Sequence, residues 1–146
     1  MGGHPWFYYV PYQPDIYKAL QELRRTEFAA GRYNPVIWFP EFPVGPDSPS
    51  PGPQHSSFEA ALRASMQDGT RSILDMDRVS ERPEYFAVSP LPETELVRLY
   101  GTTEPTHEMV EELLFLEDGE RGKGIYIVLY EDGAPSQILF AGYSFD

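Results

Sequence analysis

The sequence predicts an α+β fold: a single domain over 1–146, built on a mainly antiparallel sheet of about five strands packed with three or four helices. Three observations carry that expectation. The first is the C-terminal stretch from Gly124, in which two runs of β-branched and aromatic residues, 125–130 and 137–145, flank Asp132-Gly133. Asp-Gly between such runs is a strong hairpin signal. The second is that the first run is apolar on both alternating sets, Ile125, Ile127, Leu129 and Tyr126, Val128, Tyr130. A strand of that kind belongs inside a sheet covered on each side. The third is the element order, β-α-(loop)-α-β-β-α-α-β-β, which lacks a long series of alternating strands and helices.

Taken in order, residues 5–12 are aromatic and β-prone and read as a strand. Pro14-Asp15 opens a helix in which Ile16, Ala19, Leu20 and Leu23 recur at helical spacing and Gly31 is placed to end it. Arg24 and Arg25 fall near its C-terminal end, where they suit the dipole. Seven of the fifteen prolines then crowd into 33–56. That loop is expected to be anchored by Trp38, Phe39 and Phe42 and exposed in its second half. Its prolines at 40, 43, 46 and 49 keep the three-residue period of a polyproline II helix, suited to docking on a partner or on the domain itself.

Ser56-Ser-Phe-Glu59 has capping-box spacing, so a helix is expected to about Gln67, burying Phe58, Ala61, Leu62 and Met66. Strands are expected at 71–79 and 84–89, with Leu74 and Met76 inward and Asp75 and Asp77 together on the outer face. A short helix follows over 92–100, stopped by Gly101. A longer one, capped by Thr103 or Thr106, is expected to reach about Leu116 with Met109, Val110, Leu113 and Leu114 inward. Pro135 cannot donate to a ladder and is assigned to the connection between the last two strands.

Composition narrows the function classes. The chain is 41% apolar and 14% aromatic, as a globular protein is, and it has no cysteine. Thiolate nucleophiles, disulfides and zinc–thiolate sites are thereby excluded. No apolar run approaches the length of a membrane span, and the first residues lack the pattern of a signal peptide, so a soluble cytoplasmic protein is expected. Net charge is −12, and residues 81–120 hold eleven acids against Arg82 and Arg98. Such a field opposes binding to nucleic acid or anionic membrane and attracts a basic partner.

Motifs for catalysis are missing. His4, His55 and His107 have no metal-ligand spacing, no Gly-x-Ser-x-Gly elbow occurs, and Gly119–Gly124 precedes a strand where a phosphate loop would precede a helix. No metal or other cofactor is expected. The leading expectation is therefore a protein-binding module of the inhibitor or immunity type, engaging a basic partner through Glu104, Glu108, Glu111, Glu112, Glu117 and Asp118. The alternative is a small enzyme or small-molecule binder with a pocket beneath the aromatic, proline-rich loop, formed by Trp38, Phe42, Arg71, Asp75 and Asp77.

Overall fold

A computed structural model of the chain describes residues 3–38, 41–42, 44–45, 47–65 and 68–145, the side chains of Glu117 and Asp118 excepted. The elements run β1 (Pro5–Pro11), α1 (Ile16–Ala30), α2 (Phe58–Ser65), a 3₁₀ turn (Ile73–Asp75), β2 (Arg78–Val79), β3 (Ala87–Pro90), α3 (Glu93–Tyr100), α4 (His107–Val110), a second 3₁₀ turn (Leu114–Asp118), β4 (Gly124–Glu131) and β5 (Ala134–Tyr143). They form an α+β domain around one five-stranded sheet of order β1–β5–β4–β3–β2. The long pairs β1–β5 and β4–β5 are antiparallel, and the short pairs β2–β3 and β3–β4 are parallel. The sheet is thus mixed but antiparallel over most of its length.

The hairpin forms as its sequence dictates. Asp132 and Gly133 both take positive φ, 52° and 79°, which matches the right-handed twist of the strands they join. β4 lies between β5 and β3, with Ile127 and Leu129 buried on one face and Tyr126, Val128 and Tyr130 half-buried on the other. Ile127 and Leu129 pack with Leu139, Ala141, Leu96, Val110 and Phe115 on the side of α3 and α4. On the other side Ile138 and Phe140 of β5 meet Trp6, Tyr8, Leu20, Leu23, Ile73, Met76 and Val88 beneath α1, with Tyr126 against them. Pro135 sits inside β5 and not in the connection. A register shift at Leu129/Tyr130 lets a residue without an N–H enter the ladder there.

Helix α1 is capped at both ends. Asp15 accepts a hydrogen bond from the Lys18 amide at 3.0 Å, and Gly31 closes it in the left-handed conformation at φ 78°. Its inward stripe does not stop at Leu23 but continues through Arg24 and Glu27, both buried. Glu27 is held bidentately by Arg32 at 2.7 and 2.9 Å. Arg24, expected to complement the dipole, is buried with its guanidinium over the Phe58 ring of α2.

Several expectations are corrected. The cap of α2 is Ser57, whose Oγ accepts from the Ala60 amide, so the helix starts one residue late for the Ser56–Glu59 box. Leu62 is exposed on a cleft rim, while Met66 and Gln67 lie outside the described residues. In the proline-rich loop Ile37 and Val44 are buried and supply the anchor, and Trp38 is 72% exposed. Phe39, Pro40, Pro43 and Pro46 lie outside the described residues.

Residues 71–79 are not one strand. The Thr70, Ser72 and Asp75 side chains bond nearby backbone and curl the segment into a 3₁₀ turn, leaving only Arg78–Val79 to pair. The next strand starts at Ala87, after Phe86 turns at φ 64°. The longer acidic helix also breaks. Thr106 caps it as expected, but Leu113 takes φ 52° and ends the α-helical path, so α4 spans four residues and Met109 is exposed.

Candidate functional site

The chemistry-bearing residues of the described chain converge where the turn at 68–77 passes beneath α1 and α2. Gly69 and Arg71 take positive φ, 72° and 54°, and fold this turn back on itself. Asn34 fastens it, donating its amide N–H to the Thr70 carbonyl at 2.8 Å and its Nδ2 to the Gly69 carbonyl at 3.0 Å. The turn is built around one carboxylate oxygen. The Thr70 amide and the Thr70 hydroxyl both donate to Asp75 Oδ1 at 2.8 Å, and that hydroxyl shares a further 2.8 Å bond with Ser72 Oγ.

Asp75 itself is 5% exposed. Burial raises its pKa above the ordinary carboxyl value, against the hydrogen bonds from Thr70 and the Arg71 backbone and the positive charge of Arg24. Its other oxygen, Oδ2, has no hydrogen-bond partner among the described residues. It faces the bare backbone of Gly69, where a Cβ would come within 2.9 Å of it.

Arg24, 7% exposed, reaches the same place from α1. Its Nη1 donates to Gln21 Oε1 at 2.9 Å and its Nη2 to the Leu74 carbonyl at 3.1 Å, with the guanidinium carbon 4.9 Å above the Phe58 ring. Nε finds no partner among the described residues. Burial lowers its pKa, opposed by Asp77 and more weakly by Asp75. A buried guanidinium and a buried carboxyl group thus stand near each other with no ion pair between them among the described residues.

Both line a cleft of about 510 Å³, together with Leu62, Gly69, Leu74, Asp77, Phe86 and Phe145. That volume falls within the range of small-ligand sites, about 300–1,000 Å³. Phe86 is presented by its unusual backbone: its amide donates to the Gly122 carbonyl at 3.0 Å and its carbonyl accepts from the Asp77 amide at 2.8 Å. A bulky residue at positive φ is strained, and here the neighbouring strand ends hold it there. Its ring lies 5.1 Å from that of Phe145, making one aromatic wall. Asp77 is on the rim, 3.0 Å from Arg78 Nη1.

Two other cavities are chemically quieter. One of about 370 Å³ between β1 and α1 ends on the satisfied Glu27–Arg32 pair. One of about 250 Å³ lies against α3, with Lys123 among its walls and paired to Glu120 at 2.7 Å.

Of the residues expected to form a pocket, the cleft gathers Asp75 and Asp77 and not Trp38 or Phe42. The two aspartates do not share a strand face: the first is the floor and the second the rim. Arg71 contributes backbone to the turn, while its guanidinium lies 5.8 Å from Phe42 and 3.9 Å from Asp68. Arg24 and Leu62 were read from sequence only as helix residues, and Phe86 and Phe145 carried no site expectation. Only Arg24 left a signal, a charged residue continuing the Leu20–Leu23 stripe.

The acidic surface lies on the α3–α4 side, the opposite face of the sheet. Glu104, Glu108, Glu111 and Glu112 are exposed there, and Glu117 and Asp118 follow, their side chains outside the described residues. Among the described residues Glu111 meets only His107, at 3.5 Å, and the other three have no cationic partner. His107 also shares a 2.9 Å bond between Nδ1 and Gln137 Oε1, with its ring 4.3 Å from Tyr9.

Comparison of the chain with family models, with curated proteins and with solved structures gave no match. Among the described residues no helix is long and apolar enough to cross a membrane, and no group of three His, Asp or Glu gathers as metal ligands do.

Proposed function

We propose that this chain is a binding protein and that its ligand occupies the cleft between Arg24, Asp75, Asp77, Phe86 and Phe145. One observation carries the reading: a single cleft of about 510 Å³ gathers Arg24, Asp75 and Asp77 beside the Phe86–Phe145 wall. A few polar groups converging on a largely apolar cleft are the usual makings of a ligand site. The aromatic wall and Leu62 supply the apolar surface that such sites use for affinity. This is the small-molecule alternative expected from sequence, moved away from the proline-rich loop. We place it in the cytoplasm, a choice supported by the absence of cysteine.

The test is a fragment screen followed by ¹H–¹⁵N correlation spectra. Binders should shift the amides of Gly69, Thr70, Asp75, Asp77 and Phe86 together, and Asp75→Asn should weaken them. A screen whose hits all map elsewhere would exclude the cleft as the site.

A second reading has its own support. The exposed Glu104, Glu108 and Glu112, unpaired with any cation among the described residues and set beside exposed Met109, suit a basic protein partner. Association on that face would slow with added salt, because steering is screened over about 8–10 Å. Changing Glu108, Glu111 and Glu112 to Lys would then abolish capture of the partner without lowering the melting temperature; undiminished capture would discard this reading.

A further inference from the structure

We infer that β1 is a self-pairing edge: two copies of this chain join antiparallel through it about a two-fold axis at Tyr8, making one sheet across the dimer. β1 is the outermost strand, and among the described residues no strand lies beyond it. Its bonds to β5 fix which way each backbone group points. The Tyr12 amide donates to the Ser136 carbonyl at 3.1 Å, and the Ser144 amide to the His4 carbonyl at 2.9 Å. In an antiparallel pair such residues alternate with others whose N–H and C=O point away. The even-numbered residues of β1 therefore face β5, and Pro5, Phe7, Tyr9 and Pro11 face outward. The prolines have no N–H, so the free edge offers two donors, the amides of Phe7 and Tyr9. Neither has a hydrogen-bond partner among the described residues.

An occupant of this edge has to place acceptors opposite those two amides and needs none opposite the prolines. A second copy does both. In the register that sets Phe7 of each copy opposite Tyr9 of the other, the amides and carbonyls of these residues exchange four hydrogen bonds. Pro5 then falls opposite Pro11. Edge prolines ordinarily deter pairing, but here they meet each other, where neither strand offers a donor, and end the ladder after Trp6 and Val10. The stretch Pro5-Trp-Phe-Tyr-Tyr-Val-Pro11 has the same order of residue classes in both directions: proline, apolar, aromatic, then Tyr8 and the reverse. Phe7 and Tyr9, both half-buried, already stand edge to face at 6.3 Å, and the pairing brings a second such couple against them.

Charge and cover fit the same occupant. A chain of net charge −12 repels itself over much of its surface. β1 is uncharged, however, and residues 1–32 hold Lys18, Arg24, Arg25 and Arg32 against Asp15, Glu22 and Glu27. A cavity of about 370 Å³ between β1 and α1 borders the consecutive residues Tyr8 to Gln13, so the helix stands clear of this margin of the sheet.

The experiment is sedimentation equilibrium of the full chain from micromolar concentration to about 1 mM. The apparent mass should rise from one chain toward two. Tyr9→Pro removes an outward donor and leaves the bonds to β5 in place, so it should weaken the dimer about tenfold or more. Cysteine, which the chain lacks, reads the register. A mixture of Phe7→Cys and Tyr9→Cys chains left to oxidise in air should cross-link faster than either alone. Hydrogen-bonded pairs lie about 5.5 Å apart at Cα, within disulfide reach. This second arm decides the matter should Tyr9→Pro fold poorly. Wild type that stays monomeric at the highest concentration would overturn the inference, even if an added peptide binds β1. A dimer undiminished in folded Tyr9→Pro, or cross-linking no faster in the mixture, would put the interface elsewhere and overturn it as well.

Discussion

Truncating one isoleucine on each face of the sheet tests whether it is covered on both sides. Ile127 of β4 is 2% exposed on the α3–α4 side, and Ile138 of β5 is 0% exposed on the α1 side. Replacing either by Ala removes three carbons, worth about 2.4 kcal/mol in transfer free energy at about 0.8 kcal/mol each. The unfilled space adds to this, and buried Ile→Ala changes cost about 2–5 kcal/mol in total. For a chain of this size each kcal/mol lowers the melting temperature by about 2–4 °C, so each variant should melt about 4–20 °C below wild type. Urea titration is the cleaner assay, because the midpoint should fall while the slope stays unchanged. The two losses should be of similar size, since both side chains end in closed layers. A loss under about 0.5 kcal/mol for either one, the size of a surface substitution, would show that its face is open and would refute the three-layer packing.

Further outcomes follow from the buried charges and the close backbone approaches. Burial raises the Asp75 pKa from its ordinary 3.8, so the folded chain keeps that proton to higher pH than the unfolded chain. The associated stability is complete below the unfolded value and is lost as pH rises through the folded one; relative to Asp75→Asn, wild type should weaken in urea as pH climbs above the ordinary value, and parallel pH profiles would refute this. Arg32→Met leaves buried Glu27 without its bidentate partner and should cost about 3–5 kcal/mol, measurable by the same titration. A cost below about 1 kcal/mol would mean that water takes the place of the guanidinium beside Glu27. Gly31→Ala would put a Cβ against the Gly52 carbonyl at a backbone φ of 78°, where the chain returns with a 2.8 Å bond from the Gly52 amide to the Ala30 carbonyl. It should lose well over the roughly 1 kcal/mol of an ordinary left-handed glycine, and a smaller loss would show that the returning loop gives way.

What could be read from sequence was whatever local chemistry decides. The Asp132-Gly133 turn, the helix opening at Asp15, the Thr106 cap and the Gly31 and Gly101 stops each act within a few residues, and each falls where its sequence signal stands. Burial of Ile127 and Leu129 was likewise written in the strand's apolar pattern, while the Tyr126, Val128, Tyr130 set is only half-buried. Where side chains compete with the backbone, legibility failed. Thr70, Ser72 and Asp75 satisfy one another and their own turn, so an apparent strand pattern over 71–79 hides a 3₁₀ knot. Leu113 at positive φ ends α4 against its own preference, and nothing in the residue announces it. The cleft is the least legible part, because its walls come from α1, α2, the 68–77 turn, the approach to β3 and the residues after β5. Phe86 and Phe145 are far apart in sequence and become neighbours only once β3 and β4 pair in parallel and β5 returns beside β4. Arg24 could have been noticed, since Leu20, Arg24 and Glu27 continue one helical stripe at spacings of four and three.

The most direct test of the cleft as the binding site is a crystal structure of the chain soaked in the tightest binder from the fragment screen. The account predicts that molecule in the cleft lined by Leu62, Asp77, Phe86 and Phe145. A cleft closed by its own side chains, or holding only water at a saturating concentration of the fragment, would contradict it.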